Sequence, residues 1–147
     1  MKTTLRILLV LMLGVVPAWA ALGEYEGSVQ LDQQVLRGEV REETHPGYKV
    51  HQIITPEGAV IREYVSPDGK VFAISWHAHM LPNLQQLLGA YFPRVQQAAQ
   101  VRVQHGGPLV IQTEDFVYFS GGRMMNFHGS AYLPGLLPRN VTAEVVR

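Results

Sequence analysis

One stretch decides the fold, because three runs rich in β-branched and aromatic residues alternate there with two short turns. In order it reads YKVHQIIT (48–55), PEG (56–58), AVIREYVS (59–66), PDG (67–69) and KVFAISW (70–76). In each turn the proline presets its own φ, and the glycine accepts a positive φ. Two β-type runs joined by such a turn are typical of a hairpin, so the stretch predicts a three-stranded antiparallel meander.

The third run has the composition of a central strand. Phe72, Ile74 and Trp76 fall on one face at a period of two, with smaller residues between them. We therefore expect this strand to be covered on both faces. In the second run Arg62 and Glu63 are adjacent and point to opposite faces of the sheet, so the sequence does not predict an ion pair between them.

Strand patterns return towards the C-terminus. Three runs have strand composition, namely Leu109–Thr113, Phe116–Ser120 and Arg123–Leu133. The segments between them, Glu114-Asp115 and Gly121-Gly122, have lengths typical of hairpin turns. We expect C-terminal hairpins here, followed by a last β-type run over Val141–Val146.

Between the two β-rich regions the apolar period becomes helical. After Pro82-Asn83 the apolar residues recur at i, i+3, i+4 and i+7, as Leu84, Leu87, Leu88 and Tyr91. This spacing predicts one short amphipathic helix that Pro93 ends. Arg94–Gln104 begins with helical spacing and ends with strand-like alternation, while Ala21–Asp32 has the mixed composition of an arm or a short first strand.

These elements predict a single α+β domain over residues 21–147. It consists of an antiparallel β-sheet, formed by the meander and the C-terminal hairpins, with one or two short helices packed on one face. The chain has 147 residues, 12 basic and 12 acidic side chains and no cysteine. This composition excludes a polybasic nucleic-acid binder, a disulfide scaffold and thiol-based catalysis.

Residues 1–20 have the pattern of a secretory signal peptide. Lys2 and Arg6 precede an apolar run over residues 7–16, and Ala18-Trp19-Ala20 supplies the small residues of a cleavage site. A run of this length is too short to span a bilayer as a helix, which takes about 20 residues. We expect cleavage after Ala20, a periplasmic or secreted product, and no permanent membrane anchor.

Several segments together resemble an exported proteobacterial protein family catalogued only as a domain of unknown function. They are Arg62–Trp76, Pro82-Asn83-Leu84, Leu87–Phe92 and Gly129–Pro134. The resemblance extends over almost all of residues 21–147 and implies a periplasmic or exported protein. It implies no particular activity, cofactor or catalytic residue.

A candidate metal site follows the third strand, at His77-Ala78-His79-Met80. In an extended segment the two imidazoles project to the same side, and a thioether is a soft ligand suited to copper. Copper or zinc binding by His77, His79 and Met80 would need a further ligand brought in by the fold. The alternative is a polar strand end that turns towards the helix.

Signals for catalysis are weak in this sequence. No G-x-S-x-G motif accompanies the serines, and the acidic pairs Glu42-Glu43 and Glu114-Asp115 are consecutive, so their side chains diverge. Both pairs are interpreted as solvated loops. An enzyme of unrecognised type is kept as one hypothesis, because fold does not determine function.

The late aromatic residues favour a binding role. Phe116 and Tyr118 share one strand face, and Phe119 lies on the other. One or two helices are too few to cover both faces of such a sheet, so apolar area remains for a partner. The leading hypothesis is a non-catalytic module that binds an exported or envelope protein near Trp76, His77, His79, Phe116 and Tyr118. The alternative is a periplasmic carrier of a metal or small ligand that uses His77, His79 and Met80.

Overall fold

The structure is a computed structural model that describes residues 22–101 and 106–147. The predicted signal peptide and its cleavage point lie outside the described residues. The end of the Arg94–Gln104 segment, where a strand is expected, also lies outside them.

A seven-stranded antiparallel sheet forms the body of the described chain, in the order β1-β2-β3-β4-β7-β6-β5. In chain order the strands are β1 (Glu39–His45), β2 (Tyr48–Ile54), β3 (Val60–Val65), β4 (Val71–Ala78), β5 (Leu109–Gln112), β6 (Val117–Arg123) and β7 (Asn126–Tyr132). Strand β4 is central, and six consecutive residues of it, Val71–Trp76, are buried. The predicted α+β class and the central position of the third run are confirmed.

The predicted meander is strands β2, β3 and β4, and both Pro-acid-Gly turns lie where expected. Gly58 has a φ of 81° and Gly69 a φ of 79°, the conformation that glycine adopts most readily. The amide of Ser66 donates to the Lys70 carbonyl and closes the second turn. Strand β1 adds a fourth antiparallel strand beyond β2.

Helices precede and follow the meander in the chain. They are α1 (Gly27–Leu36) before it, and α2 (Leu84–Leu88) and α3 (Phe92–Gln100) after it. The Asn83 side chain accepts a hydrogen bond from the Gln86 amide and caps α2, as the sequence suggested. The prediction of an arm or strand over Ala21–Asp32 is wrong, because most of its second half is in α1. The prediction that Pro93 ends the helix is also wrong, because Pro93 occupies the first turn of α3, where its missing N–H is tolerated.

The C-terminal hairpins form, and the first turns at Glu114-Asp115 as predicted, but the second turn lies elsewhere. Gly121 and Gly122 are within β6, and the chain reverses at Met124-Met125. A side chain at Gly122 would collide with the backbone of Asn126 on β7. The close approach of the two strands therefore requires a glycine at this position. The last run, Val141–Val146, contains a 3-10 turn over Ala143–Val145 and is not a strand.

The three helices cover one side of the sheet, called here the helix face. Its buried apolar sheet residues include Ile53, Ile61, Val65, Ile74, Trp76, Tyr118 and Ala131. Against them pack Val29 of α1, Leu84, Leu87 and Leu88 of α2, and Val95 of α3. Burial of this apolar area is the main favourable contribution to the fold.

The other side, called the opposite face, is covered in part by the C-terminal segment (residues 134–147). Leu136, Leu137, Val141, Val145 and Val146 pack over a cluster of Val50, Tyr64, Phe72 and Ala73. This coverage by an irregular segment was not predicted. The prediction that Phe72 shares a face with Ile74 and Trp76 is wrong, because the β3–β4 register shifts beside Phe72. Towards β5 the opposite face is exposed, and four of its exposed residues are called here the open patch: His77, Val110, Phe119 and His128.

Candidate functional site

Three ionisable side chains from three elements meet on the helix face, at the β1 edge. Glu42 of β1 and His51 of β2 are direct register partners, and Glu26 immediately precedes α1. His51 Nε2 lies 2.8 Å from Glu26 Oε1, and His51 Nδ1 lies 3.8 Å from Glu42 Oε2. One donor atom from each residue can be chosen so that all three lie within 4.8 Å of one another. We call this group the Glu26/Glu42/His51 cluster.

Lys49 adds a positive charge to the cluster. Its Nζ lies 3.3 Å from Glu26 Oε1 and 3.7 Å from Glu42 Oε1. The hydrogen bond from His51 is the largest cause of a lowered pKa at Glu26, and Lys49 contributes in the same direction. Hydrogen bonding and charge interaction with Glu26 raise the pKa of Lys49. The cluster therefore holds Glu26 as a carboxylate at neutral pH.

The backbone of Glu26 is fixed in place, although its side chain is partly exposed. Its amide donates to the Gly69 carbonyl at 2.9 Å, and Val71 N–H donates to the Glu24 carbonyl at 2.9 Å. The segment before α1 is thus attached to the end of the β3–β4 hairpin. Only 9% of the His51 side chain is exposed, so the ring has little freedom to move.

A cleft of 500 Å³ leads from solvent to the cluster. Its walls come from α1, β1 and β2, with Gln30 and Gln33 among the residues at its edge. Both glutamates and His51 line it, as do Val29 and Val40. A small ion or polar molecule can reach the three donor groups through this cleft.

A second polar group lies deeper on the helix face. Glu63 of β3 is the register partner of His51 and is fully buried, as is Asp32 of α1. The Gln86 side-chain amide donates to Asp32 Oδ1 at 2.5 Å. Burial is the largest cause of a pKa of Glu63 well above its ordinary value, followed by the negative charge of Asp32 and a polar contact with it. Burial therefore favours the neutral, protonated form of Glu63.

Three of the residues predicted to bind a partner lie in the core. Trp76, Phe116 and Tyr118 are each at most 2% exposed and pack on the helix face. The Trp76 and Tyr118 rings are 5.8 Å apart, and the Phe116 ring stacks on Tyr91 at 5.0 Å. A partner that binds the protein in this conformation therefore contacts exposed residues beside these three side chains and not the side chains themselves.

The predicted metal ligands separate into two places. His77 lies in the open patch, where its Nε2 is hydrogen-bonded to Asn126 Oδ1 at 2.9 Å. His79 and Met80 line a different feature, a groove of 710 Å³ that Met125 also lines. The structure thus brings His79 and Met80 together with a second thioether and does not place His77 in the same groove.

This groove has a mainly apolar lining. Val35 and Leu36 of α1 form one wall, and Met80, Leu81 and Pro82 form another. Among the described residues, several of the most exposed large apolar side chains are here or beside it, at Val35, Met80, Leu81, Met124 and Met125. We call this feature the methionine groove.

The two edges of the sheet differ in chemistry. Strand β1 reads EVREETH and exposes charged side chains, which discourage pairing with another strand. Strand β5 reads LVIQ and carries no charge. In the described part of the chain no strand pairs with the outer side of β5.

Sequence reasoning missed the Glu26/Glu42/His51 cluster for a definable reason. Glu42 and Glu43 were interpreted as a solvated loop, but they lie in β1, where they point to opposite faces as consecutive strand residues must. Glu42 therefore meets His51 on the helix face, while Glu43 faces the other way. The one available signal was the β-type composition of residues 48–54, which places His51 and Ile53 on a common face.

Comparison with family models matches residues 18–146 to the family described as "Protein of unknown function (DUF2844)". The chain belongs to this family. The resemblance noted from the sequence to a domain of unknown function is thereby confirmed. No curated protein matches the chain, and no solved structure matches it either. Within the described residues of this DUF2844 protein, no helix has the length and apolar character needed to cross a membrane.

Proposed function

We propose that this protein is a non-catalytic interaction module that binds an extended segment of an exported or envelope protein along β5. The observation that carries the proposal is the combination, at one end of the sheet, of an uncharged edge strand with an exposed apolar surface. Val110 of β5 is 57% exposed and Phe119 of β6 is 36% exposed. They are register partners on the opposite face, so they form one continuous surface beside the edge.

The chemistry of the edge favours an added strand. An edge strand presents unpaired N–H and C=O groups that a second chain can pair with, and side-chain pockets then give specificity. An added strand beside β5 would place alternate side chains next to Val110, with Phe119 one strand further into the sheet. A segment with apolar residues at every second position fits this surface.

Two histidines border the apolar part of the open patch. His128 is the register partner of His77, and its ring lies 5.9 Å from the Phe119 ring. Imidazoles at the rim can donate to carbonyl or carboxylate oxygens of a bound segment. His77 thus keeps the partner-binding role suggested by the sequence, at the border of the surface.

Export is part of the same proposal. The charged start, the apolar run and Ala18-Trp19-Ala20 support cleavage after Ala20 and a periplasmic or secreted location. Fractionation of cells that express the full chain tests this directly. A product of reduced mass in the periplasm or medium supports it, and an uncleaved product in the cytoplasm contradicts it.

Site-specific crosslinking tests the binding surface. A photoreactive amino acid at Val110 should crosslink one identifiable envelope protein in the native host, and the same group at Met124 serves as a control on an exposed hairpin tip. The purified partner should then bind the unmodified protein and lose at least about tenfold in affinity with Phe119→Glu, since a charge placed on an apolar contact costs several kcal/mol. Equal crosslinking from both positions, or equal affinity of Phe119→Glu, would refute the proposal.

A second candidate function rests on the methionine groove. Its volume of 710 Å³ and its apolar lining suit a small apolar ligand, and His79 with Met80 and Met125 offers soft ligands to copper. Titration with a fluorescent apolar probe and with Cu(I) tests a carrier role. Retained binding in Met80→Gln, which removes the thioether at nearly constant length, would contradict it.

A further inference from the structure

We propose that the Glu26/Glu42/His51 cluster is a zinc-binding site, with the imidazole and the two carboxylates as protein ligands and water completing the coordination. This site is separate from the open patch and from the methionine groove. It also differs in residues from the metal site expected at His77, His79 and Met80.

The donor set and its spacing support zinc. Ligands bound to one zinc at about 2.0–2.2 Å in tetrahedral geometry lie roughly 3.4 Å from one another. One donor atom from each of the three residues can be chosen within 4.8 Å of the other two, so small side-chain movements bring all three to that spacing. An imidazole favours zinc over Mg²⁺ or Ca²⁺, which prefer oxygen ligands throughout.

The site is also held in place by its elements and open to entry. Glu42 and His51 are fixed opposite each other by the β1–β2 register, and the backbone of Glu26 is hydrogen-bonded to Gly69. The cleft of 500 Å³ gives an ion access, and three protein ligands leave a coordination position for water. Such an arrangement resembles an open site more than a closed structural one.

Lys49 is the group that a metal ion must displace. Its ammonium contacts both glutamates, but its side chain is nearly half exposed and its stem is flexible. Zinc would replace the ammonium between the carboxylates and would take the lone pair of one ring nitrogen of His51. That nitrogen is the one that carries no proton in the neutral imidazole, so no N–H bond breaks when the ion binds.

Calorimetric titration of the purified protein with ZnCl₂ tests the site. We expect one zinc per chain at pH 7.5, since the three ligands of one cluster hold a single ion. Glu42→Gln and His51→Gln should each weaken binding at least about tenfold, a loss that even outer-shell changes can reach. Glu43→Gln is the matched control, since Glu43 is the next residue on the same strand and faces the other way.

A variant that binds zinc more tightly tests the proposal independently of misfolding, because a misfolded protein would lose affinity. Lys49→Met removes the competing ammonium and keeps most of the length of the side chain, so it should tighten zinc binding several-fold. The absence of stoichiometric binding would overturn the proposal, as would equal binding by Glu42→Gln and Glu43→Gln. Binding that survives these changes but is lost in His79→Ala would overturn it too, because the ion would then belong to the methionine groove.

Discussion

Gly129 on β7 lies directly opposite Trp76 on β4, and the Trp76 indole occupies the space in which a side chain at position 129 would begin. The Phe119 carbonyl approaches the same space from β6. The absence of a side chain at this one position therefore lets the largest aromatic residue of the central strand lie flat across β7, beneath the helices.

Gly129→Ala should destabilise the protein by about 1–3 kcal/mol, the usual result of overpacking a core. Urea denaturation followed by tryptophan fluorescence measures this free energy of unfolding. Gly135→Ala is the control, because no atom beyond the neighbouring backbone lies within 4 Å of the methyl group it would add. An equal effect of the two substitutions would mean that the indole does not need the space at Gly129.

Glu63→Gln should make stability less dependent on pH. The pKa of Glu63 is raised in the folded state, whereas in the unfolded chain the pKa of a glutamate is about 4.3. Between these two values the folded state holds the extra proton, so the free energy of unfolding falls as pH rises, by at most about 1.4 kcal/mol per pH unit. The variant lacks this ionisation, and we expect it to exceed the wild type in stability at pH 8.

Thermal unfolding between pH 5 and pH 8 checks the pH prediction. The same substitution at Glu57, an exposed residue of the β2–β3 turn, is the control. A wild-type protein that gains stability as pH rises through this range would contradict the assignment of a neutral Glu63.

The sequence predicted the sheet better than the first helix, and the reason lies in α1 itself. The Pro-acid-Gly turns specify the meander locally, since their conformations depend on the proline and glycine themselves. In α1 the usual pattern is reversed, because Ser28 and Asp32 are buried while Leu31 and Val35 are exposed. A reading based on apolar period cannot detect a helix whose buried positions include polar residues.

The Glu26/Glu42/His51 cluster could not be predicted for a related reason. Glu26 and His51 are 25 residues apart and meet only because the segment before α1 is hydrogen-bonded to the β3–β4 turn. The open patch was predictable in part, since Phe119 was assigned to the face opposite Phe116 and Tyr118. Its extent depends on how far the irregular C-terminal segment reaches, which no period in the sequence specifies.

Tyr64→Phe should loosen the C-terminal segment from the opposite face. The Tyr64 hydroxyl donates to the Arg147 carbonyl at 2.8 Å and accepts from the Arg147 amide at 3.0 Å. Removing it leaves the ring in the core but deletes both bonds, for an expected loss of about 1–2 kcal/mol. Hydrogen exchange should become faster at residues 143–147 and stay unchanged in β1. Unchanged exchange in both regions would contradict this role of the hydroxyl.

Met125→Gly should stabilise the protein while weakening any ligand binding in the methionine groove. Met125 has a φ of 69°, a left-handed conformation that costs an ordinary residue about 1–2 kcal/mol and costs glycine little. Its side chain is exposed, so its removal loses little packing on folding. Met124→Gly is the control, because this neighbouring methionine lacks a positive φ and should only lose stability. Chemical denaturation of both variants, with an apolar-probe titration, measures the two effects. Met125 thus has a backbone conformation that is unfavourable for its residue type, at the rim of an apolar groove, and such strain is typical of binding sites. Loss of stability in Met125→Gly would remove this argument for the groove.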